Sequence, residues 1–482
     1  MRKYLFTLLL LIFTALLVVF LLNRWWKRLI QPIVLCPGCN VVIVDLDTLR
    51  ADAFDCKGKP GSSGHPPNLC EFVKDAFKFE NNFSQSHWTF PSMVSTHTGL
   101  YPPEHGIPYD EDALKEGILT MPEVLKRNNY QTVRAGYMGK TFTISKESNT
   151  DKGYDFFYAN AGFELWPLLI NWLANQPLPF YSFFYFGELR APYLLNEDNP
   201  ANFSDFKDSI FPKTYSEAKK SLLDFLSKNS QFFVDKERMI IKDSWDRIYN
   251  PFIYSIYQSS IDSDETEASK IKKIYEEDVK EWDDELKDTI VDLTKLKESQ
   301  NSVIILMSDH GEAFNEHGFL EHVTSPGSQY NELLRVPLYI YIPRIWGKTI
   351  PQISRNIDIF PTIFEIVGID SSMIKNEIHG KSLVPVMIGN RPWEKLQERF
   401  AISFSRSLGS IQNSKYKMIF DLLDDDRAEI YDLRNDKGEK NNISSSSKPV
   451  RKYFMAKLES IFGFRLKGLG INWRERFSER VN

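Results

Sequence analysis

The sequence predicts an α/β protein built on a doubly wound, largely parallel sheet with helices on both faces. Three apolar runs, Asn40–Val44, Phe180–Phe186 and the first residues of Ser302–Gly311, lack polar alternation, which is typical of strands buried on both faces of a parallel sheet. Between them, Ala268–Leu296 carries apolar residues at helical spacing and is predicted to be one amphipathic helix. Strands that alternate with helices favour a parallel sheet.

The chain of 482 residues is expected to fold as several parts. We predict an amino-terminal anchor (1–30), a linker (31–39), a large domain (40–380) and a small α+β carboxyl-terminal subdomain with a tail (381–482). The segment 196–266 is rich in lysine, serine and aspartate, which indicates an inserted stretch of surface helices. After residue 380 the apolar segments are short and joined by polar loops, which favours the small subdomain.

The amino terminus is predicted to be a single transmembrane helix. Residues 4–22 are continuously apolar, about the length needed to cross a bilayer. Basic residues lie on both sides of this run, and Trp25 and Trp26 follow where tryptophan favours the membrane interface. A cleaved signal peptide is the alternative, but no small-x-small cleavage site follows. The flanking charges do not fix the orientation; we expect a single-pass membrane protein whose large domain lies outside the cytoplasm.

Composition excludes one class of partner, and the cysteines indicate a compartment. The net charge of −5 gives no sign of the basic surface that nucleic-acid binding requires. All four cysteines, Cys36, Cys39, Cys56 and Cys70, follow the predicted anchor closely. Two local disulfides there would suit an oxidising compartment. Four reduced thiols remain an alternative, as does a zinc site that includes the Cys-Pro-Gly-Cys pair, although the other two cysteines do not form a second Cys-x-x-Cys.

Acidic side chains directly follow two of the predicted strands. Asp45 and Asp47 end the first, and Asp309 and His310 end another. Open α/β sheets bind ligands at the carboxyl ends of their strands, and a buried carboxylate is costly unless it is paired or binds a metal. A cation held by Asp47, Asp45 or both is one interpretation; a helix cap at Asp47 or Thr48 is the other.

Several motifs, in order along the chain, resemble the sulfatases and their relatives in the alkaline phosphatase superfamily. The resemblance covers Asn40 to about Asn442 and is weakest across 196–266. The motifs that carry it are Asn40–Asp52, Trp88–Pro102 with Glu104-His-Gly106, Ser308–Glu312, Glu316-His-Gly318 with His322, Arg335–Leu338, Asp358–Gly368, His379–Leu383 and Glu429–Leu433.

The resemblance implies metal ligands at Asp47, Asp309 and His310, and a nucleophile at Thr89. Sulfatases proper convert a Cys or Ser in a Cys/Ser-x-Pro-x-Arg core to formylglycine, whereas this core reads Thr89-Phe-Pro-Ser-Met93. A threonine there is similar to the branch that uses Thr directly, such as phosphodiesterases and phosphoglycerol or phosphoethanolamine transferases.

Further departures concern the anion contacts that the family implies. The family's His-x-Pro-Tyr falls on Arg190-Ala-Pro-Tyr193, and its Gly-Lys falls on Gly139-Lys140 with Phe142 in place of a histidine. Thr48 stands in place of a second metal aspartate. Asp45 shares a strand face with Asp47, but we expect it to support the site rather than bind the metal, because the family position is normally apolar.

Together these residues predict a membrane-anchored, metal-dependent hydrolase or transferase of phosphate or sulfate esters. A divalent ion, zinc, manganese, calcium or magnesium, would lower the pKa of the Thr89 hydroxyl. Its predicted ligands are Asp47, Thr89, Asp309 and His310. The predicted catalytic side chains are Thr89, Lys140, His322 and Arg190. The substrate would be a small-molecule, lipid-headgroup or glycan ester; a catalytically impaired binding protein and a true sulfuric ester hydrolase are the alternatives.

Overall fold

The structure is a computed structural model that describes most of residues 34–463. The gaps within that range are 59–63, 108–112, 137–147, 160–165, 178, 188, 190–232, 236–239, 242–264, 300, 320, 323–327, 371–377, 390–397 and 425–426. The predicted anchor at 4–22 and most of the insertion 196–266 therefore lie outside the described residues. Within the described part of the chain, no helix is both long and apolar enough to cross a bilayer.

Fourteen strands are found in the described residues. They are β1 (Asn40–Leu46), β2 (Phe77–Phe83), β3 (Gln131–Gly136), β4 (Phe156–Ala159), β5 (Phe180–Phe186), β6 (Phe233–Asp235), β7 (Ile240–Ile241), β8 (Ser302–Met307), β9 (Leu338–Tyr341), β10 (Thr349–Arg355), β11 (Ala401–Ser405), β12 (Leu408–Gln412), β13 (Tyr416–Asp421) and β14 (Ala428–Asp432).

Eight of these strands form one twisted central sheet, as predicted. Its order is β10-β2-β9-β8-β1-β5-β3-β4, and β9 runs antiparallel to its two neighbours while the other pairings are parallel. β1 lies between β5 and β8, with Asp45 in register with Tyr185 on one side and Met307 on the other. The carboxyl ends of β1 and β8 therefore meet at one edge, which brings their acidic tips together.

Helices cover both faces of this sheet. In chain order the helices of the described residues are α1 (Pro67–Val73), α2 (Thr89–Thr98), α3 (Pro102–His105), α4 (Met121–Arg127), α5 (Trp166–Ala174), α6 (Glu265–Glu285), α7 (Lys287–Ser299), α8 (Asn331–Leu334), α9 (Ile359–Val367), α10 (Val384–Ile388) and α11 (Lys448–Phe462). The predicted single helix at Ala268–Leu296 is thus two helices, α6 and α7, which meet at Leu286.

The alternation of β1 divides the core into two clusters. Val42 and Val44 pack with residues of α1, α5, α6 and α7 on one face. Val41 and Ile43 pack with residues of α2, α4, α9 and α10 on the other. Because side chains alternate along a strand, Asp45 and Asp47 point to the second face, the one that α2 covers. The predicted doubly wound arrangement is confirmed in this respect.

A second, antiparallel sheet has the order β11-β12-β13-β14 and packs with α11 around its own apolar core. This is the α+β composition predicted for the carboxyl-terminal part, while the boundary at residue 380 stays a prediction. Near the start of the described chain, Cys36 pairs with Cys39 and Cys56 with Cys70. Of the three interpretations of the cysteines, the structure has the two local disulfides.

Candidate active site

Three predicted metal ligands converge at the carboxyl edge of the sheet. Asp47 follows β1, and Asp309 and His310 follow β8; all three are completely buried. One potential ligand atom from each lies within 4.8 Å of the others. The Nε2 atom of His310 lies 3.5 Å from a carboxylate oxygen of Asp47 and 3.5 Å from one of Asp309. The structure thus brings together side chains separated by more than 260 positions in the sequence.

The orientation of His310 suits a cation in this cluster. Its Nδ1 lies 2.8 Å from the carbonyl oxygen of Gly311 and donates its proton there, so that Nε2 is the atom that would offer a lone pair to a cation held with the carboxylates. A side chain at position 311 would bring a Cβ within 2.1 Å of the Glu332 carbonyl oxygen, which explains the glycine. Two carboxylates and a lone-pair nitrogen are all electron-pair donors, the set that zinc, manganese and related divalent ions bind.

Thr89 stands beside this cluster as the first residue of α2. Its Oγ1 lies 3.0 Å from Nε2 of His310. One turn along the helix, the Ser92 hydroxyl donates to the backbone oxygen of Asp309 at 2.7 Å and so fastens α2 to the tip of β8. A helix start offers unpaired N–H groups and a positive dipole end, which stabilise negative charge near Thr89. The hydroxyl, the donor cluster and an anion-favouring helix end therefore coincide.

The turn after β1 excludes the helix-cap interpretation of its acidic tip. Residues 47 and 48 form a turn rather than the start of a helix, and Thr48 has a positive φ of 59°. The Thr48 hydroxyl donates to the carbonyl oxygen of Leu189 at 2.9 Å. Thr48 therefore secures the turn against the segment that follows β5, while Asp47 points toward Asp309 and His310.

Asp45 lies in β1, two residues before Asp47 and on the same face of the sheet. Burial, together with the neighbouring Asp309 and Asp47 charges, raises the pKa of Asp45 well above its ordinary value. The Arg134 charge on β3 and the backbone of Asp309 oppose this shift. Arg134 is itself only 1% exposed, and burial lowers its pKa to about 10. The supporting role of Asp45 stays a prediction.

Tyr185 is a contact that sequence reasoning missed. Its hydroxyl donates to Oδ2 of Asp47, and the residue is 2% exposed. The strand Phe180–Phe186 was predicted, but only the pairing of β5 with β1 shows that this tyrosine faces Asp47. A donor on the outer oxygen of a ligating carboxylate fixes its orientation.

His322 lies next to the cluster, as predicted for a further contact. Its ring centroid is 4.3 Å from that of His310, and Glu312 holds its Nδ1 at 3.1–3.2 Å. Two other predicted site residues, Lys140 and Arg190, lie outside the described residues.

The carboxyl-terminal sheet also reaches this edge. The Ser405 hydroxyl lies 2.8 Å from that of Ser86 and accepts the backbone N–H of His87 at 3.2 Å. The next residue, Arg406, places its guanidinium 6.0 Å from the ring centroid of Trp88, the neighbour of Thr89. No local pattern of residues predicts this cation, because the hairpin that carries it lies more than 300 positions from Trp88 in the sequence.

The sequence profile of the sulfatase family matches residues 39–369, more than half of the chain. The chain belongs to the sulfatase family. The profile described as N-sulphoglucosamine sulphohydrolase, C-terminal, matches residues 316–462 of this sulfatase-family protein. The family resemblance drawn from the motifs is therefore confirmed, and the two profiles together include both sheets.

Similar proteins span nearly the same length. The chain is 23% identical to an N-acetylglucosamine-6-O-sulfatase of Bacteroides thetaiotaomicron, over 86% of this chain and 84% of that protein. A structure solved in complex with D-glucosamine-2-N,6-O-disulfate has a TM-score of 0.66 at 20% identity, covering 89% of this chain and 98% of that one. A phosphonate monoester hydrolase of Agrobacterium radiobacter has a TM-score of 0.64 at 19% identity, covering 88% and 95%. These likenesses show the fold.

Proposed function

We propose that this sulfatase-family protein hydrolyses or transfers phosphate or sulfate esters with Thr89 as its nucleophile. The observation that carries the proposal is the 3.0 Å contact between the Thr89 hydroxyl and Nε2 of His310, within the buried donor cluster of Asp47 and Asp309. We assign Asp47, Asp309, His310 and Thr89 as ligands of one divalent cation. When bound, that ion would lower the pKa of the Thr89 hydroxyl and neutralise charge on the ester oxygens.

The chemistry assigned to the chain's own residues has two steps. Thr89 Oγ1 forms a bond to phosphorus or sulfur while the bond to the ester oxygen breaks, and the departing alcohol takes up a proton. Water or an acceptor alcohol then attacks the threonine ester, and Thr89 leaves as the hydroxyl. The N–H groups at the start of α2 stabilise the charge that develops on the non-bridging oxygens. The choice between water and alcohol decides between hydrolase and transferase.

Charged side chains around Thr89 would hold and protonate the ester. Glu312 fixes the ring of His322 through Nδ1, and we assign its other nitrogen to an ester or leaving-group oxygen. Arg406, beside Trp88, is assigned to the anion. Lys140 and Arg190 remain predicted contacts. The relatives act on sulfated sugars or on phosphonate monoesters, which supports an anionic ester as the substrate class.

We further propose that residues 4–22 anchor the protein in a membrane, with the catalytic domain on the extracytoplasmic side. The apolar run and its interfacial tryptophans support the anchor. The two disulfides support an oxidising compartment. A reporter fused to the carboxyl terminus and a protease-protection assay on intact cells test the orientation. Protection of the catalytic domain inside the cytoplasm would contradict it.

Side-by-side turnover of an aryl sulfate, an aryl phosphate diester and an aryl phosphonate tests the reaction class. We expect the metal-loaded protein to release the aryl alcohol from a phosphate or phosphonate ester faster than from the sulfate, because position 89 cannot become formylglycine. Turnover of the sulfate alone would instead favour a sulfuric ester hydrolase. No turnover by protein that retains a bound ion would favour a binding protein.

A further inference from the structure

A cleft of about 610 Å³ lies where the large domain meets the carboxyl-terminal sheet. Its walls come from β2 and β10 of the large sheet and from the turn between β12 and β13, and include Phe83, Ile353 and Gln412. None of the residues assigned above to the cation lines it. Its volume is that of a pocket for a small organic ligand, and junctions between domains are frequent places for such pockets.

Positive charge is in excess along the cleft. Arg335, Arg399 and Lys437 line it, against the single carboxylate of Glu398. Arg335 donates through Nε and Nη2 to the carbonyl oxygen of Glu80, at 3.2 and 2.8 Å, which does not neutralise its charge. Arg335 and Lys437 are both exposed, and among the described residues neither forms an ion pair. Two cationic heads are thus available to an incoming anion.

The inner wall adds a third positive centre. Arg399 donates to Asp358 at 2.5 Å, but Arg355 also donates to that carboxylate, at 2.7 Å. The single negative charge of Asp358 is shared by two guanidinium groups, so a net positive charge remains beside the cleft. Guanidinium groups match sulfate, phosphate and carboxylate groups geometrically, since their N–H donors form a planar fork.

The same wall carries polar atoms whose hydrogen-bonding capacity is unused. Oε1 of Gln412 and Nε of Arg399 are buried and have no hydrogen-bonding partner among the described residues. Gln412 is only 3% exposed. Leaving such an atom unsatisfied is costly, and a ligand hydroxyl or ring oxygen at this wall would reduce that cost. The amide of Asn81 and the hydroxyl of Ser414 add polar groups suited to a sugar, whereas the amide of Asn413 is already bonded to Glu398.

A strand pair joins this cleft to the candidate active site. Ala401, at the start of β11, pairs with Gln412 at the cleft. Ser405, at the other end of β11, bonds to Ser86 and His87, just before Thr89. Four residues of extended strand span about 13 Å. A short oligosaccharide is long enough to bridge such a distance.

We propose that the cleft binds an acidic sugar unit, with its anionic group on Arg335 and Lys437 and its hydroxyls on Gln412 and Ser414. The idea that this sugar belongs to the same glycan as the reacting ester rests on the proposed function. The binding itself does not. The sugar is either a remote unit of the substrate or a separate acidic saccharide, and both present the same chemistry to the cleft.

Calorimetry on the full-length protein in detergent tests the binding, with a heparin-derived hexasaccharide as the probe. Divalent ions are removed first by chelation, so that the metal cluster does not contribute. We expect Arg335→Ala and Lys437→Ala each to weaken binding about tenfold, because each removes a charge-assisted contact. Lys415→Ala is the matched control: it removes the same charge next to Ser414 but outside the cleft, and should leave the Kd within about twofold.

Equal affinity of the wild type and the Arg335→Ala/Lys437→Ala double variant for the sulfated probe would overturn the proposal. If the wild type binds a hexasaccharide that is both desulfated and carboxyl-reduced as tightly as the sulfated probe, the assignment of an anion is overturned. Inorganic sulfate that binds as tightly as the hexasaccharide would overturn the assignment of a sugar. Lys437 is exposed, so its variant is expected to fold; near-ultraviolet circular dichroism verifies this.

Turnover by the metal-loaded protein then identifies the source of the sugar. If the cleft holds a remote unit of the substrate, Lys437→Ala raises KM for a sulfated oligosaccharide and leaves KM for a small aryl ester unchanged. If the variant loses calorimetric binding while both KM values stay constant, the bound saccharide is separate from the substrate. Failure of the wild type to turn over any ester would count against the proposed function alone, since the binding measurement needs no turnover.

Discussion

Two buried acidic sites in this molecule offset the free-energy cost of burying a carboxylate in different ways. Asp358 is completely buried and receives hydrogen bonds from Arg355 and Arg399. Burial opposes its ionisation, but the two arginine charges outweigh burial and lower its pKa. Asp47 and Asp309 are equally buried, yet they face each other and an imidazole nitrogen. The Asp358 site carries its own counter-charge, whereas in our proposal a cation supplied from outside completes the Asp47 site.

This difference separates a structural ion pair from a candidate active site. Asp358 starts the segment that leads into α9 and also accepts the backbone N–H of Lys381 at 2.8 Å. Its partners come from β10 and from the chain just before β11, so it ties the two sheets together. The Asp47 cluster has a nucleophilic hydroxyl beside it instead. The four predictions below test that division, beginning with the largest expected effect.

Removing the nucleophile should abolish turnover without disturbing the fold. We expect Thr89→Ala to lower kcat at least about 10³-fold, since loss of a nucleophile removes the covalent route. Its melting temperature should stay close to that of the wild type, because a single hydroxyl is lost. Steady-state kinetics and thermal unfolding measure both effects.

Two matched variants serve as controls for Thr89→Ala. Thr89→Ser keeps the hydroxyl and should retain measurable turnover. Thr96→Ala removes another threonine hydroxyl from α2, one that bonds along the helix to the Ser92 carbonyl oxygen, and should leave kcat near the wild-type value. Full activity of Thr89→Ala would rule out the covalent mechanism.

Asp358→Asn should destabilise the protein and leave cation binding intact. Loss of the shared carboxylate charge leaves Arg355 and Arg399 buried beside a neutral amide, which costs about 3–5 kcal/mol of unfolding free energy. Urea unfolding measures the change. A Tm shift on cation addition equal to that of the wild type would place Asp358 outside the metal site. Loss of that shift would show that cation binding depends on Asp358 and would contradict the comparison.

The Asp358 cluster should also contribute a pH dependence in acid. A lowered folded-state pKa means that the stabilisation is fully present above the unfolded-state pKa of about 4 and is lost as the pH falls through the folded-state value. We therefore expect unfolding free energy to drop more steeply below about pH 4 in the wild type than in Asp358→Asn. Parallel acid profiles for the two proteins would show that the arginines do not hold the carboxylate ionised.

Tyr185→Phe should weaken cation binding modestly. The variant removes the hydroxyl that bonds to Asp47 Oδ2, and such outer contacts typically change metal affinity about 10-fold or more. Tyr181→Phe is the matched control, since Tyr181 lies on the same strand face but its hydroxyl contacts His97 instead, at 3.0 Å. Competition with a chelating dye gives both affinities. An equal loss of cation affinity in the two variants would mean that the loss comes from altered packing and not from the missing bond to Asp47.

Much of this arrangement could be predicted from local sequence. The strands and their acidic tips at Asp47 and Asp309 were visible because burial on both faces leaves an unbroken apolar run. Thr89 depended on the family motif, since a lone threonine at the start of a helix has no local signature of reactivity. The motif also placed His322, whose contact with Glu312 is local in sequence.

The contacts that were missed depend on strand order and domain packing. Tyr185 meets Asp47 only because β5 lies beside β1, and Arg406 arrives on a hairpin of the second sheet. Arg134 approaches Asp45 from β3, two strands away from β1. Such neighbours are set by the order of strands in the sheet, which no local pattern of residues encodes. His317, in the Glu316-His-Gly318 motif, stacks on Tyr330, with ring centroids 3.6 Å apart.

The central claim is that the Asp47–Asp309–His310 cluster binds a divalent cation next to Thr89, and thermal unfolding with metal analysis tests it most directly. Chelated wild-type protein and Asp309→Asn are each titrated with zinc, manganese, calcium and magnesium. We expect one of these ions to stabilise the wild type by about 2.7 kcal/mol at a hundredfold excess over its Kd, with one equivalent bound, and to leave Asp309→Asn unchanged. No bound ion and no gain in Tm for the wild type would contradict the account.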